Sequence, residues 1–422
     1  MDGAGTHGVA AVIMVMSTPE AEAVLRRSGL TPGQLLQPFA AVEEPGLLVH
    51  TTGEPYRLRR FDMRFQRAAD IRAASSADSE RQLTELVSRL DAGQPLAPRS
   101  AALAPWLGPV REALASQLRY AEHSGNDYPV ACLFLGAAYE PQLVSAFNGL
   151  YASGMPPVLR DGLCDPMLAR CFLLLDDVTA ARRDAQAAQQ ALQEVGRAFG
   201  ASAAHILSVN SSAQPLAQPH AAWAPCAAAD AADAAANGAA PPPLGARMSD
   251  SDATGLGSFV GGPLCRAVVT HLQQRLQQLE AIVKEKRHGI KNTFRSWLGG
   301  KKLSSSPGAA ASSVLGGLSA GAGGGAGAGG SGEWPTAAVP RYLSTAIEAH
   351  LRQIADYAFF LRDFPLALSY YRSAASEFKS DKAWRHYAHA QEMGALCLNL
   401  NGGSRCANYT ATDINATLAG VS

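Results

Sequence analysis

The 422-residue sequence lacks a net charge, because 36 Lys and Arg residues balance 36 Asp and Glu residues. Such a protein has no overall field that would attract nucleic acid, so an electrostatic partner must bind a local patch. The seven cysteines include no C-x-x-C pair, which indicates neither a disulfide framework nor a zinc site. The apolar run from Val9 to Met16 is too short to span a bilayer. These absences favour a cytosolic protein with reduced thiols.

The motifs of common α/β enzymes are also missing. No G-x-x-x-x-G-K-[ST] loop or G-x-G-x-x-G turn would bind phosphates, and no G-x-S-x-G elbow would carry a serine nucleophile. Asp176 and Asp177 resemble the magnesium ligands of a P-loop enzyme, but without the loop we interpret them as helix-capping acids. His386 and His389 have a spacing that could hold a metal, although interleaved aromatic residues favour an ordinary helix face. We expect no catalytic residue, no cofactor and no metal.

Residues 1–210 alternate strand-like and helix-like patterns. Four apolar runs separated by helical patterns predict a mostly parallel sheet covered on both faces, and they are Val9–Met16, Tyr128–Leu135, Cys171–Leu175 and Ala204–Val209. Two further runs, Leu47–Thr51 and Tyr56–Phe65, flank a Gly-Glu-Pro turn and predict an antiparallel hairpin at an edge of the sheet. The fold class predicted for this part is therefore α/β.

Two stretches contain few large apolar side chains. Residues 211–258 are mostly Ala, Pro, Asp and Ser, and residues 304–338 are almost wholly Gly, Ala and Ser. Neither composition can offset the entropy of ordering the chain, so both predict disordered linkers. They separate the α/β domain from a helical segment at 259–303 and a helical region at 339–400. Residues 401–422 lose the helical pattern and predict an irregular tail.

The segment 259–303 combines an apolar stripe with a basic patch. Its heptad-like stripe of Leu272, Leu276, Leu279 and Val283 is continued by Ile290, Phe294, Trp297 and Leu298. The basic residues are Lys284, Lys286, Arg287, Lys291, Arg295, Lys301 and Lys302. This pattern is typical of an amphipathic helix that lies on an anionic membrane or docks on a protein, and both alternatives stay open. Nucleic acid is disfavoured because the aromatic residues lie in the apolar stripe and are not spread along a groove.

The region 339–400 contains three helical patterns separated by short turns. Small residues would let the helices approach and large aromatic residues would fill the gaps between them, which gives a candidate packing set of Tyr357, Phe364, Ala367, Tyr371 and Ala374. The spacing fits the start of a tetratricopeptide-like α-solenoid, and an ordinary helical hairpin fits it equally well. Because about three repeats are needed for stability, we expect a partner or further chain to cover the end.

Several runs in this order resemble a known family, the N-terminal part of subunit 8 of the transport protein particle (TRAPP) complex, which is specific to form III. The runs are Leu35–Phe39, Tyr128–Phe134, Cys171–Val178, His205–Ser211, Phe294–Trp297 and Ile354–Leu361, followed by Tyr370-Tyr371 and Glu377-Phe378. No single run is specific, and their order along the chain carries the resemblance. Family members continue for hundreds of residues as a helical solenoid and β-domains, which this sequence does not contain.

The resemblance implies a non-catalytic subunit of a tethering complex, peripheral on early Golgi, ER–Golgi intermediate and pre-autophagosomal membranes. The assembled complex would act as exchange factor for the Rab GTPase of ER-to-Golgi traffic and autophagy, through other subunits. The implied partners are the other TRAPP subunits, that Rab through the complex, and an anionic membrane. The family's membrane-attaching helix corresponds to Ile290, Phe294, Trp297 and Leu298. The alternatives are an α/β enzyme that binds a nucleotide or metabolite at residues 1–210, and a repeat adaptor unconnected with membranes.

Overall fold

The computed structural model describes residues 9–51, 53–72, 120–181, 183–226, 243–299 and 342–401, with the backbone alone for 287–299 and 401. The chain divides into two units, residues 1–280 with 341–422 and residues 281–340. The described part of the second unit is the helical stretch 281–299. No helix in the described ranges is long and apolar enough to cross a membrane.

Within the described part of the larger unit, six strands form one mixed sheet in the order β2-β5-β1-β6-β7-β8. The strands of the structure are β1 Ala11–Ser17, β2 Ala41–Glu43, β3 Leu48–Val49, β4 Tyr56–Arg57, β5 Arg60–Arg67, β6 Pro129–Ala137, β7 Ala169–Asp177 and β8 Ala204–Val209. Strands β5, β1, β6, β7 and β8 run parallel, and β2 is antiparallel to β5. The predicted mostly parallel α/β sheet is confirmed.

The helices of the structure cover this sheet and extend beyond it. They are α1 Pro19–Arg26, α2 Pro32–Leu36, α3 Leu143–Ser153, α4 Pro157–Arg160, α5 Ala185–Phe199, α6 Asp250–Phe259, α7 Cys265–Gly299, α8 Ile347–Phe360, α9 Phe364–Ser380 and α10 Trp384–Asn401. A π-helical segment, Val260–Leu264, joins α6 to α7. Helices α8, α9 and α10 pack one against the next in sequence order.

The predicted hairpin differs from the structure in its second half. Strands β3 and β4 pair antiparallel over only two residues each, and the chain then turns into the main sheet as β5. The break in alternation after Leu58 marks this departure, because Phe61, Met63 and Phe65 bury one face of β5 instead of continuing the hairpin. Strand β2 escaped prediction because its three residues contain a single buried apolar side chain, Val42.

Aromatic rings fill the layer between the sheet and helices α3 and α5. Phe172 of β7 stacks on Phe134 of β6 with ring centroids 4.9 Å apart, and on Phe199 of α5 at 4.3 Å. Phe147 of α3 completes the cluster at 5.3 Å from Phe172. Gly136 is required beside it, because a Cβ there would lie 2.8 Å from the Phe147 ring. The core of the α/β domain lies here.

Helices α1, α2 and α6 also pack on the sheet, and α7 continues the chain beyond α6. Phe259 at the end of α6 meets the His205 ring edge-on at 5.3 Å. On α7 the predicted heptad stripe is fully buried at Leu272, Leu276 and Leu279. This helix therefore belongs to the fold of the larger unit up to Glu280, whereas the composition had suggested a segment isolated between linkers.

The first predicted linker, 211–258, differs from the structure at both ends. Helix α6 already starts at Asp250, with a capping box between Ser249 and Asp252. Nearer its start, the fully buried Trp223 donates from Nε1 to the carbonyl oxygens of Gln34 (3.1 Å) and Leu35 (3.3 Å). One large aromatic side chain thus anchors a stretch that an average composition describes as unable to fold. Residues 227–242, the whole second linker 304–338, and 402–422 lie outside the described residues.

Candidate functional site

The three C-terminal helices are docked on the α/β domain at the amino ends of its parallel strands. The centre of this contact is Asp165, in the loop before β7, whose side chain is 4% exposed. Its carboxylate accepts hydrogen bonds from Nε of Arg275 on α7 at 2.5 Å and from Nε2 of Gln353 on α8 at 3.1 Å. A buried carboxylate needs such partners, because leaving it unpaired costs a large desolvation free energy. Three parts of the chain that are distant in sequence therefore meet at the Asp165 carboxylate.

Close backbone approach tightens the same contact. A 3₁₀ turn, Gly125–Asp127, precedes β6, and a Cβ at Gly125 would lie 2.7 Å from side-chain atoms of Arg352 and Asp356 on α8. Tyr357, one helical turn after Gln353 on α8, accepts a hydrogen bond from the Gln353 side chain at 2.7 Å. Burial, with the nearby Asp165 carboxylate, raises the pKa of Tyr357, so this hydroxyl stays neutral.

A second contact fixes the turn between α8 and α9. Thr51 donates to Oδ2 of Asp363 at 2.5 Å, and the Tyr56 hydroxyl donates to the Leu361 carbonyl at 2.8 Å. Asp363 also caps α9 by accepting from the Leu366 amide. Arg362, with φ of 66°, forms an ion pair with Asp62 of β5. The small β3–β4 hairpin and the loop within it therefore bind the turn between α8 and α9.

The candidate packing residues of the helical region have different surroundings in the structure. Ala367, Tyr371 and Ala374 are fully buried, and the Tyr371 hydroxyl donates to Asp356 of α8 at 2.6 Å. Burial raises the pKa of Asp356, although Arg352 opposes this shift. Tyr357 is buried toward the α/β domain, and Phe364 is half-buried with its ring edge-on to Phe359. The set thus divides between helix–helix packing and domain docking.

The predicted membrane- or partner-contacting residues fall mostly where side chains are not described. Lys284 and Lys286 are exposed. The backbone is helical through Arg287, Ile290, Lys291, Phe294, Arg295, Trp297 and Leu298, as the pattern predicts, and ends its helix at Gly299. Lys301 and Lys302 lie outside the described residues. The assignment of this stretch to a membrane or a protein stays a prediction.

A cluster of histidines, of which the sequence pattern indicates only His386 and His389, lies where α10 meets the segment before β6. His123 lies 6.4 Å from His386 and 6.3 Å from His389 between ring centroids. His386 is 1% exposed, and neither of its ring nitrogens has a hydrogen-bond partner among the residues that the structure describes. In the described parts of the chain, no group of three or more His, Cys, Asp or Glu residues has the geometry of a metal site.

The surroundings of His386 disfavour a positive charge. Its ring packs against the rings of Tyr342 (4.9 Å) and Phe378 (5.1 Å). The pKa of His386 is lowered to about 4, mainly by burial and also by the positive charge of Arg352 and by the neighbouring His123 and His389, while Glu122 opposes this shift. The His386 ring is therefore neutral near pH 7.

The two aspartates at the end of β7 are held by ion pairs and do not cap a helix, which corrects our interpretation. Asp177 pairs with Arg27 of α1 at 2.7 Å, and Asp176 with Arg183 at 2.7 Å. The cap of α5 is Asp184 instead. Each of the two carboxylates therefore has a guanidinium partner.

The position where α/β enzymes bind ligands is bridged by the chain itself. Ligands of open parallel sheets bind at the carboxyl ends of two strands whose connections leave in opposite directions, here β1 and β6. Directly after β1, Thr18 donates from its hydroxyl to Glu140, which follows β6, at 2.6 Å, and from its amide to the Leu135 carbonyl at 3.0 Å. Burial, together with the carboxylate of Glu20, raises the pKa of Glu140. These hydrogen bonds from Thr18 join the carboxyl ends of β1 and β6.

An α/β sheet with docked helices serves many functions, so the class of this protein follows from its family and not from its fold. The sequence model described as TRAPPC-Trs85, ER-Golgi trafficking TRAPP I complex 85 kDa subunit, matches residues 6–419. The chain belongs to this family, so the resemblance inferred from the sequence is confirmed. Transport protein particle subunit trs85-1 of Schizosaccharomyces pombe is 37% identical over 57 residues, or 14% of this chain. That match spans 9% of the relative's length.

Proposed function

We propose that the chain is a non-catalytic scaffold and membrane-attachment subunit of a TRAPP III-like tethering complex. In this proposal the assembled complex activates the Rab GTPase of ER-to-Golgi traffic and autophagy, and other subunits perform the exchange. The chain would act at cytoplasmic surfaces of early Golgi, ER–Golgi intermediate and pre-autophagosomal membranes. Family membership over residues 6–419 supports assembly with the other TRAPP subunits.

The observation that carries the proposal is the docking of α8 on the α/β domain through Asp165. Because Arg275 and Gln353 both bind this buried carboxylate, the helical region has a fixed orientation relative to the sheet. A scaffold must hold partners at defined positions, and a rigid junction meets that need. The basic stretch Lys284–Lys302 supports the membrane part, since cations beside Phe294 and Trp297 suit an anionic bilayer surface.

Two measurements test the two parts separately. Co-expression of the full chain with the remaining TRAPP subunits should yield one complex on size exclusion, and a chain that elutes alone would refute the scaffold role. For membrane attachment, that complex should float with liposomes containing anionic lipid. Phe294→Asp with Trp297→Asp should reduce flotation at least fivefold, and equal flotation would refute the anchor. Leu48→Asp is the matched control, because Leu48 is 68% exposed on the β3–β4 hairpin.

A further inference from the structure

The turn between α9 and α10 presents a tryptophan to solvent. Trp384, the first residue of α10, is 58% exposed, and its ring meets Tyr387 edge-on at 6.3 Å. Tryptophan is among the residues that contribute most to binding at the centre of protein interfaces. An indole kept in water at the tip of a helical turn is therefore a candidate anchor for a partner.

The turn holds this side chain in a fixed position. The Ala383 amide donates to the Phe378 carbonyl at 2.8 Å, a hydrogen bond that closes the end of α9. The Tyr342 hydroxyl donates to Asp381 at 2.9 Å and ties the turn to the segment that precedes α8. Because the backbone of the turn is already ordered, binding of a partner to Trp384 would cost little conformational entropy in the turn.

Three basic residues lie close to Trp384 in the sequence of the turn. Lys379, Lys382 and Arg385 are exposed, and among the described residues none of them forms an ion pair. The acid of the turn, Asp381, accepts the hydrogen bond from Tyr342. We call Lys379, Lys382, Trp384 and Arg385 the Trp384 patch. Its charge is complementary to a carboxylate-rich surface.

We propose that the Trp384 patch binds an acidic segment of another TRAPP subunit, with an apolar side chain of that segment covering the indole. This inference rests on the proposed assembly with those subunits. A protein segment fits better than a lipid surface, because Arg385 can form paired hydrogen bonds with a carboxylate and an apolar side chain can cover the indole face. One aromatic ring with three cations provides little apolar area for insertion into a bilayer.

Photo-crosslinking identifies the occupant directly. Benzoylphenylalanine replaces Trp384 in the full chain, which is co-expressed with the other TRAPP subunits and irradiated, and the linked peptide is sequenced. The expected product is a peptide of another subunit with at least three Asp or Glu residues near the linkage. A crosslink only to lipid, only to a peptide without acids, or to nothing overturns the proposal. The same probe at Leu48, also strongly exposed, is the control and should not give this product.

Substitutions test the energetic role of the patch. Trp384→Ala, and separately Lys379→Glu with Lys382→Glu and Arg385→Glu, should each weaken capture of the crosslinked subunit at least tenfold. The matched control is Arg26→Glu with Arg57→Glu and Arg59→Glu, which reverses three other exposed cations and should leave capture unchanged. Unchanged thermal unfolding shows that each variant is folded. Equal capture by wild type and Trp384→Ala overturns the patch but not the proposed function, whereas a wild-type chain that captures no subunit refutes both.

Discussion

Asp165 and Arg275 lie 110 positions apart in sequence, yet their side chains meet at 2.5 Å in a site from which water is largely excluded. The Asp165 carboxylate is buried and is also bonded to Gln353. Removing one partner of a buried ion pair leaves the other uncompensated, which typically costs about 3–5 kcal/mol. The Asp165 carboxylate therefore contributes strongly to the junction between sheet and helices.

Asp165→Ala should lower the free energy of unfolding by about 3 kcal/mol, because Arg275 and Gln353 lose their shared acceptor. Urea unfolding followed by circular dichroism measures this change. Asp161→Ala is the matched control, since Asp161 is an exposed acid in the same loop and should change stability by less than about 0.5 kcal/mol. Equal effects of both substitutions would contradict the role given to Asp165.

Trp223→Ala should destabilise the protein by about 3–5 kcal/mol, the usual effect of deleting a buried large aromatic side chain. It should also increase proteolysis around residue 223, because the stretch would lose its anchor at Gln34 and Leu35. Limited elastase digestion with mass spectrometry measures this release, because elastase cleaves after alanines such as those that flank position 223. Leu216→Ala, in the same stretch but 38% exposed, should leave the digestion pattern unchanged. If Trp223→Ala also leaves the digestion pattern unchanged, the role of Trp223 in holding this stretch is refuted.

Gly136→Ala should destabilise by about 1–3 kcal/mol, because the added methyl would press against Leu143 and Phe147 at 2.6 and 2.8 Å. Gly149→Ala, on the neighbouring helix α3, has open space around its Cβ and should be neutral or stabilising, since Ala is a better helix former. Thermal unfolding of both variants gives the comparison. Similar melting temperatures would contradict the tight packing between β6 and α3.

Stability should fall as the pH is lowered from about 6.5 toward 4. Because burial depresses the pKa of His386 in the folded state to about 4, the unfolded chain binds a proton at pH values where the folded chain does not. The contribution of His386 is fully present above pH 6.5 and is lost as the pH falls to 4. His386→Phe should flatten this part of the profile, whereas the exposed His50→Gln should not. Parallel profiles of wild type and His386→Phe would contradict this account.

The sheet could be predicted because strands buried on both faces leave uninterrupted apolar runs. Strands β1, β6, β7 and β8 all appear at the predicted places. Strand β5 was assigned to the wrong partner because pairing depends on the register with β1, which alternation within one strand does not encode. The ordered stretch around Trp223 was not predicted, because the composition was averaged over the whole linker. One buried aromatic ring can stabilise a segment that otherwise contains mostly small residues.

The candidate site could be predicted only in its local parts. Helix–helix packing at Ala367 and Ala374 follows from spacing along two neighbouring helices. The docking through Asp165, Thr51 and Asp363 joins residues that are up to 312 positions apart, and nothing in their own neighbourhoods indicates the partner. Likewise His386 and His389 were found by their spacing, but His123 comes from another element.

The hydrogen bond between Asp165 and Gln353 can form only after much of the chain has been synthesised. The ribosome must add 188 residues after Asp165 before the second donor exists, which takes about 10–40 s at about 5–20 residues per second. During this interval the amino ends of β6 and β7 have no helical cover from α8. Nascent chains of this protein therefore offer chaperones an incomplete surface for tens of seconds, and that surface closes only after α8 has emerged from the exit tunnel.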